Sequence, residues 1–244
     1  MSGVLVITGA SRGIGAATAR LAAARGWRVL GTYLERREPA EAVAEAIRAA
    51  GGEAAMIQAD TAIEADVTRI FDEAERRFGP VTGLVNNAGI NGGPTTVADL
   101  STEELRRMMD TNVIGAFLAA REAVRRMATD RGGRGGAIVN LGSVAAVHGS
   151  PGERVHYAAS KGAVVSMTIG LAHEVARLGI RVNAVSPGLT ETEMNPAARL
   201  ARLVPTVPIG RVADPEEVAR VILFLLSEEA SYVLGVNVTV SGGR

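Results

Sequence analysis

Six short apolar runs, each followed by a longer stretch of helical period, and a seventh run that closes the chain constrain this sequence more than any other feature. Residues 4–8 form the first run, and Ile14, Thr18 and Leu21 then share one helix stripe that Gly26 ends. Residues 28–33 form the second, with Val43 and Ile47 marking a helix before Gly51 and Gly52. Residues 54–60 come third, and Val67, Ile70, Phe71, Ala74 and Phe78 follow at helical spacing up to Gly79-Pro80. The rhythm continues with strands over 83–87, 137–141, 180–185 and 236–240. Ser101 with Glu104 predicts a capping box opening a long helix over 102–128. A further helix is predicted over 157–178, and Asp214-Pro215-Glu216-Glu217 opens the last with an N-cap and a first-turn proline. Strands alternating with crossover helices predict an α/β chain: a doubly wound parallel sheet of about seven strands with helices on both faces, in one domain spanning 1–244. Such a sheet binds ligands in a crevice at the carboxyl ends of its strands.

Composition narrows the function. The 244 residues are 47% hydrophobic, enough for a large core, and the formal charge is zero with a pI near 6.9. No global basic field invites nucleic acid or anionic lipid. Arg125, Arg126, Arg131 and Arg134 lie amid Asp130 and glycines and read as a solvated loop. The absence of cysteine removes disulfides, thiolate catalysis and thiolate metal sites. The three histidines, His148, His156 and His173, show no paired ligand spacing, so no metal site is expected. His148 is placed to face a substrate, whereas His156 should point elsewhere on its helix. The apolar run at the start is too short for a signal peptide, and no run approaches the roughly twenty apolar residues of a spanning helix. A cytoplasmic protein with no nucleic-acid or membrane partner is expected.

Two local patterns carry chemistry. Thr8-Gly9-Ala10-Ser11-Arg12-Gly13-Ile14-Gly15 lies between a strand and a helix, where glycines let a pyrophosphate approach backbone N–H groups and the helix N-terminus favours the anion. Tyr157 and Lys161 stand four residues apart, on one helix face, with Ser143 fourteen residues upstream. A cation beside a phenol favours the phenolate, which brings Tyr157 toward acid/base work near neutrality, and Ser143 offers a second hydroxyl to the same carbonyl oxygen. Taken singly, each pattern also fits an ordinary turn or a surface helix pair.

Their joint order resembles the short-chain dehydrogenase/reductase family in its compact single-domain branch. Residues 8–15, Asn86-Asn87-Ala88-Gly89, Asn112, Ser143, Tyr157-x-x-x-Lys161 and Pro187-Gly188 occur in family order across essentially the whole chain. The resemblance implies a Rossmann-type sheet of strand order 3-2-1-4-5-6-7 and an NAD(P)(H)-dependent oxidoreductase acting on a carbonyl or secondary alcohol. Tyr157 would transfer the proton, Ser143 polarise the carbonyl oxygen, Lys161 lower the Tyr157 pKa and bind ribose hydroxyls, and Asn112 hold a relay water. Gly9, Ser11, Arg12, Gly13, Ile14 and Gly15 would cradle the cofactor. Asp60 and Thr61 would meet the adenine, and Asn87, Ala88 and Gly89 would line the adenosine side. Pro187, Gly188, Thr190 and Thr192 would meet the carboxamide and phosphates, although the family more often carries an aliphatic residue at Thr190.

Cofactor choice turns on charge. Tyr33 stands where an NAD enzyme usually carries an acid, and Glu35 follows two residues later, while Arg12, Arg36 and Arg37 offer guanidinium groups to a 2′-phosphate. The reading is NADP, with NAD as the alternative. Substrate-lining segments are expected at 91–96, 144–151 and 194–205, with no arginine cluster marking a phosphate or carboxylate. The branches closest in motif are oxoacyl-carrier-protein reductases, glucose dehydrogenases and carbonyl reductases, all with small-molecule substrates. A homotetramer is expected, with Ala116, Ala119, Ala120 and Ala123 allowing close helix approach. The alternative is a non-catalytic dinucleotide-sensing protein, which would be expected to have lost Ser143, Tyr157 or Lys161.

Overall fold

The computed structural model describes residues 3–244. Seven parallel strands form one sheet: β1 (Val4–Ile7), β2 (Arg28–Tyr33), β3 (Ala54–Gln58), β4 (Val81–Asn86), β5 (Gly136–Leu141), β6 (Ile180–Pro187) and β7 (Asn237–Val240). Their spatial order is β3-β2-β1-β4-β5-β6-β7, as the resemblance implies. Ile7 pairs with Gly31 on one side and Val85 on the other, so the order reverses between β1 and β4. The crevice opens at that switch point.

Successive residues of a strand face opposite sides of the sheet. Leu5 and Ile7 therefore enter one core with α1 (Gly13–Ala24), α2 (Arg37–Ala49) and, farther along the chain, α9 (Pro215–Leu226). Val4 and Val6 enter the other, with α3 (Glu64–Phe78), α5 (Gly115–Met127) and α7 (Val155–Val175). Two small helices, α6 (Ala145–His148) and α8 (Ala197–Leu203), sit beside the crevice. Asp214 forms a full capping box for α9: its carboxylate accepts from Glu216 N–H at 2.7 Å, and the Glu217 carboxylate accepts from Asp214 N–H at 2.9 Å.

Three expectations change. The helix predicted over 102–128 is α4 (Thr102–Met109), a wide π-type turn (Asp110–Ile114) and α5, because the main chain gains a residue around Asn112. The capping box at Ser101 is half formed. Its hydroxyl accepts from Glu104 N–H at 3.1 Å, but the Glu104 carboxylate turns to Arg107 instead of the Ser101 N–H. Ala116, Ala119, Ala120 and Ala123 are buried within their own chain and offer no outer face. Exposed apolar side chains on these segments are Ile114 and Phe117 beside them and Val155 and Ile169 on α7.

Candidate active site

The carboxyl ends of β1, β2, β4, β5 and β6 surround a crevice of about 280 Å³. A larger open concavity, about 780 Å³, lies at the sheet's opposite end around Trp27, Thr82 and Gly136, and none of the motif residues reaches it. The motif residues gather around the smaller space.

The turn from β1 into α1 is held by neighbours. Thr8 Oγ1 accepts from the N–H groups of Asn87 and Ala88, each at 3.0 Å, while Asn87 Nδ2 donates to the carbonyls of Thr8 and Gly9 at 2.9 and 2.8 Å. Thr32 Oγ1 accepts from Gly9 N–H at 3.0 Å. Gly9 takes φ +68°, and a Cβ on Gly15 would stand 2.3 Å from the Gly9 carbonyl oxygen. No side chain caps α1, so its first-turn N–H groups remain open to an anion. This uncapped glycine cradle fits a dinucleotide pyrophosphate. Gly9, Ser11, Arg12, Gly13 and Ile14 line the crevice, and Gly15 lies beneath it.

Tyr33, Asp60, Thr61, Asn87, Ala88, Gly89, Pro187, Gly188, Thr190 and Thr192 also line the crevice. Asp60 Oδ1 accepts from Ala62 N–H at 2.9 Å, which orients the carboxylate. The Thr190 hydroxyl turns back to the Gly188 carbonyl, and the Thr190 carbonyl accepts from Asn195 Nδ2 at 3.0 Å. Glu35, Arg36 and Arg37 are exposed and do not line the space. Arg36 nevertheless joins Arg12: both guanidinium groups donate to the same oxygen of Glu193, at 2.6 and 2.7 Å. Glu193 is a residue that sequence reasoning missed, because the two sides of this contact lie more than 150 positions apart in the chain.

Ser143, Tyr157 and Lys161 meet at the opposite end. Lys161 is buried, and its Nζ donates to the Leu141 carbonyl at 2.8 Å without a carboxylate partner. Burial lowers its pKa to about 8. Burial also pushes the Tyr157 phenol up, opposed by the Ser143 hydroxyl and by the charges of Arg154 and Arg199. The ammonium of Lys161 stands 6.0 Å from the Tyr157 ring centre and is turned toward Leu141, and burial outweighs the surrounding cations, so the phenol is raised rather than lowered.

Asn112 sits in the wide turn and clasps the Ile90 main chain, accepting from its N–H and donating to its carbonyl, both at 2.8 Å. It also donates to Ser160 Oγ at 3.0 Å, which in turn donates to the Tyr157 carbonyl at 2.7 Å. A Cβ on Gly89 would lie 3.1 Å from Asn112 Oδ1 and 3.5 Å from Lys161 Nζ, so glycine keeps the space between them open. His156 is buried away from the crevice, its Nε2 unpartnered and close to Gly92, while His148 is exposed at the end of α6.

Arg12 is the only arginine among the described residues lining the crevice, but a group of three lies nearby. Arg154, Arg199 and Arg202 gather around Glu153, because the loop before α7 folds against α8. Among the described residues no group of three or more His, Cys, Asp or Glu is placed to hold a metal ion, and no helix is long and apolar enough to cross a membrane.

A family model described as enoyl-(acyl carrier protein) reductase matches residues 9–244. An uncharacterised oxidoreductase of Escherichia coli K12, YgfF, is 46% identical over 99% of both chains. The human 3-oxoacyl-[acyl-carrier-protein] reductase is 39% identical over 100% of this chain and 98% of its own. Among solved structures, a short-chain dehydrogenase/reductase from Serratia marcescens superposes with a TM-score of 0.92 at 36% identity, covering 99% of this chain and 97% of that one.

Proposed function

Because the chain belongs to the short-chain dehydrogenase/reductase family and is an oxidoreductase, we propose that it reduces a small-molecule carbonyl compound to a secondary alcohol, with NADPH as reductant. The convergence of Ser143, Tyr157 and Lys161 on a crevice whose other end is an uncapped glycine cradle carries this reading. A bound nicotinamide supplies the hydride and is oxidised as the carbonyl carbon is reduced. Tyr157 Oη gives its proton to the oxygen where negative charge develops, and Ser143 Oγ donates a hydrogen bond to the same atom. A phenol raised by burial holds its proton until that oxygen becomes the stronger base. Lys161, with a pKa about 8, restores the proton and draws on water in the space beside Asn112 and Gly89. Asn112 and Ser160 fix the turn of α7 that carries Tyr157.

NADP over NAD rests on Arg12 and Arg36, whose guanidinium groups meet at one anionic oxygen and suit a 2′-phosphate. A homotetramer in the cytoplasm completes the proposal, with Ile114, Phe117 and Ile169 among the exposed apolar side chains open to a second copy. The experiment is a panel of ketones, sugars and oxoacyl thioesters followed by absorbance of the reduced cofactor, with each cofactor in turn. Turnover of none of them would favour a non-catalytic dinucleotide-binding role, and a tenfold preference for NAD in kcat/KM would show that the arginines do not govern the choice.

A further inference from the structure

We infer that the substrate of this reductase carries a carboxylate and that Arg154 binds it, a statement that rests on the carbonyl-reductase reading above. Arg154 stands three residues before Tyr157, at the entrance of α7, and is only 9% exposed. Its Nε has no partner, and its guanidinium forms no ion pair among the described residues. A guanidinium cannot shed its charge, so one buried without an anion is held at a cost that a bound anion relieves.

The surrounding charges are already committed. Arg199 donates to Asn195 Oδ1 and to Glu153 Oε2, each at 3.1 Å, and Arg202 donates to the other oxygen of Glu153. Glu153 is therefore shared by two arginines before Arg154 is counted. Three cations face one carboxylate in this cluster, which leaves it short of negative charge.

The cluster adjoins the crevice through Asn195, which lines it and accepts from Arg199. Asn195 and Met194 line the space beside Tyr157, Asn91 Nδ2 donates to the Met194 carbonyl at 2.8 Å, and Thr95 N–H donates to the Glu153 carbonyl at 2.7 Å. The loop after β4, the entrance to α8 and the turn before α7 thus close around one end of the substrate space. Arg154 and Arg199 both favour the phenolate of Tyr157, consistent with their lying at the reacting end. A carboxylate matches the planar fork of a guanidinium, with two parallel hydrogen bonds.

The test compares pyruvate, acetoacetate, levulinate and 5-oxohexanoate with their methyl esters, by kcat/KM at saturating reduced cofactor. For at least one chain length the wild-type protein should prefer the acid by about tenfold or more. That preference should vanish in Arg154→Met and persist in part in Arg154→Lys, which keeps the charge and loses the fork. Equal use of acids and esters by the wild-type protein overturns the inference whether or not the variants fold, and so does an acid preference that survives Arg154→Met. If neither acids nor esters turn over, the reductase reading is decided by the wider panel of ketones, sugars and oxoacyl thioesters. The arginine is then judged by calorimetric titration of the wild-type protein with hexanoate and hexanamide. Tighter binding of the anion, lost in Arg154→Met, upholds the anion site, and equal binding removes it.

Discussion

The turn at 9–15 and the segment at 188–206 face each other across the crevice, yet they are held in different ways. The turn is tied by neutral, largely enclosed hydrogen bonds from Thr8, Thr32 and Asn87. The facing segment adds to its neutral bonds a set of charged contacts near solvent: Glu193 to Arg12 and Arg36, all about half exposed, and Arg199 and Arg202 to Glu153. Buried neutral bonds have no exchange partner once formed, whereas exposed ion pairs contribute little and trade readily for a charged ligand. One wall is therefore preformed and the other is adjustable.

Four measurements break or sharpen that contrast. The largest effect falls on the chemistry both walls serve: Tyr157→Phe should lower kcat by about three orders of magnitude or more, equivalent to about 4 kcal/mol of barrier. Cofactor affinity and melting temperature should barely move, and near-normal turnover in a folded variant would sink the proton-transfer role. Gly15→Ala attacks the preformed wall, since its Cβ would meet the Gly9 carbonyl and Asn87 Nδ2 at 2.3 and 2.7 Å. It should cost about 1–3 kcal/mol of stability and most of the cofactor affinity. An unchanged melting curve with normal cofactor titration would show that this wall yields too.

Lys161 supplies a pH test. Its folded pKa, about 8, lies below the ordinary 10.5, so the unfolded chain binds more protons between those values and stability rises with pH across that window. The gain should approach about 3 kcal/mol by pH 10 and be absent in Lys161→Met, read from denaturant midpoints. A flat wild-type profile would mean the ammonium is solvated. The smallest effect belongs to the adjustable wall. Glu193→Gln should tighten NADP about three- to fivefold and leave NAD unchanged, because it removes a competitor for Arg12 and Arg36. Equal changes for both cofactors would place Glu193 outside the 2′-phosphate's reach.

The same contrast divides what the sequence discloses. The alternation of strands and helices and the glycine turn were legible because both depend on short-range pattern, whereas the strand order was implied by the family resemblance. The crevice also gathers Ser143, Tyr157 and Lys161, whose order along the chain had suggested a common site. Glu193 with Arg12 and Arg36, and the Arg154 cluster, were illegible because they pair side chains from distant segments with no periodic mark. The unusual turn at Asn112 was equally hidden, since residues 102–128 carry an unbroken helical pattern and no proline or glycine pair to announce a break. The direction of the Tyr157 shift was misread for a different reason: spacing places an ammonium near a phenol but says nothing of how deeply either is enclosed.

That turn at Asp110–Ile114 also acts as a change of phase. Each residue of an α-helix advances about 100° around the axis, so one residue more than an α-helical turn needs rotates everything after it by about that angle. The helix before the turn and the helix after it thus address different neighbours from one continuous stretch of chain. Asn112 lies at the pivot and reaches Ile90, while Phe117 emerges toward solvent five residues later. Deleting a single residue there would straighten the chain and swing the whole of α5 out of register, a lesion of rotation without any loss of side-chain chemistry.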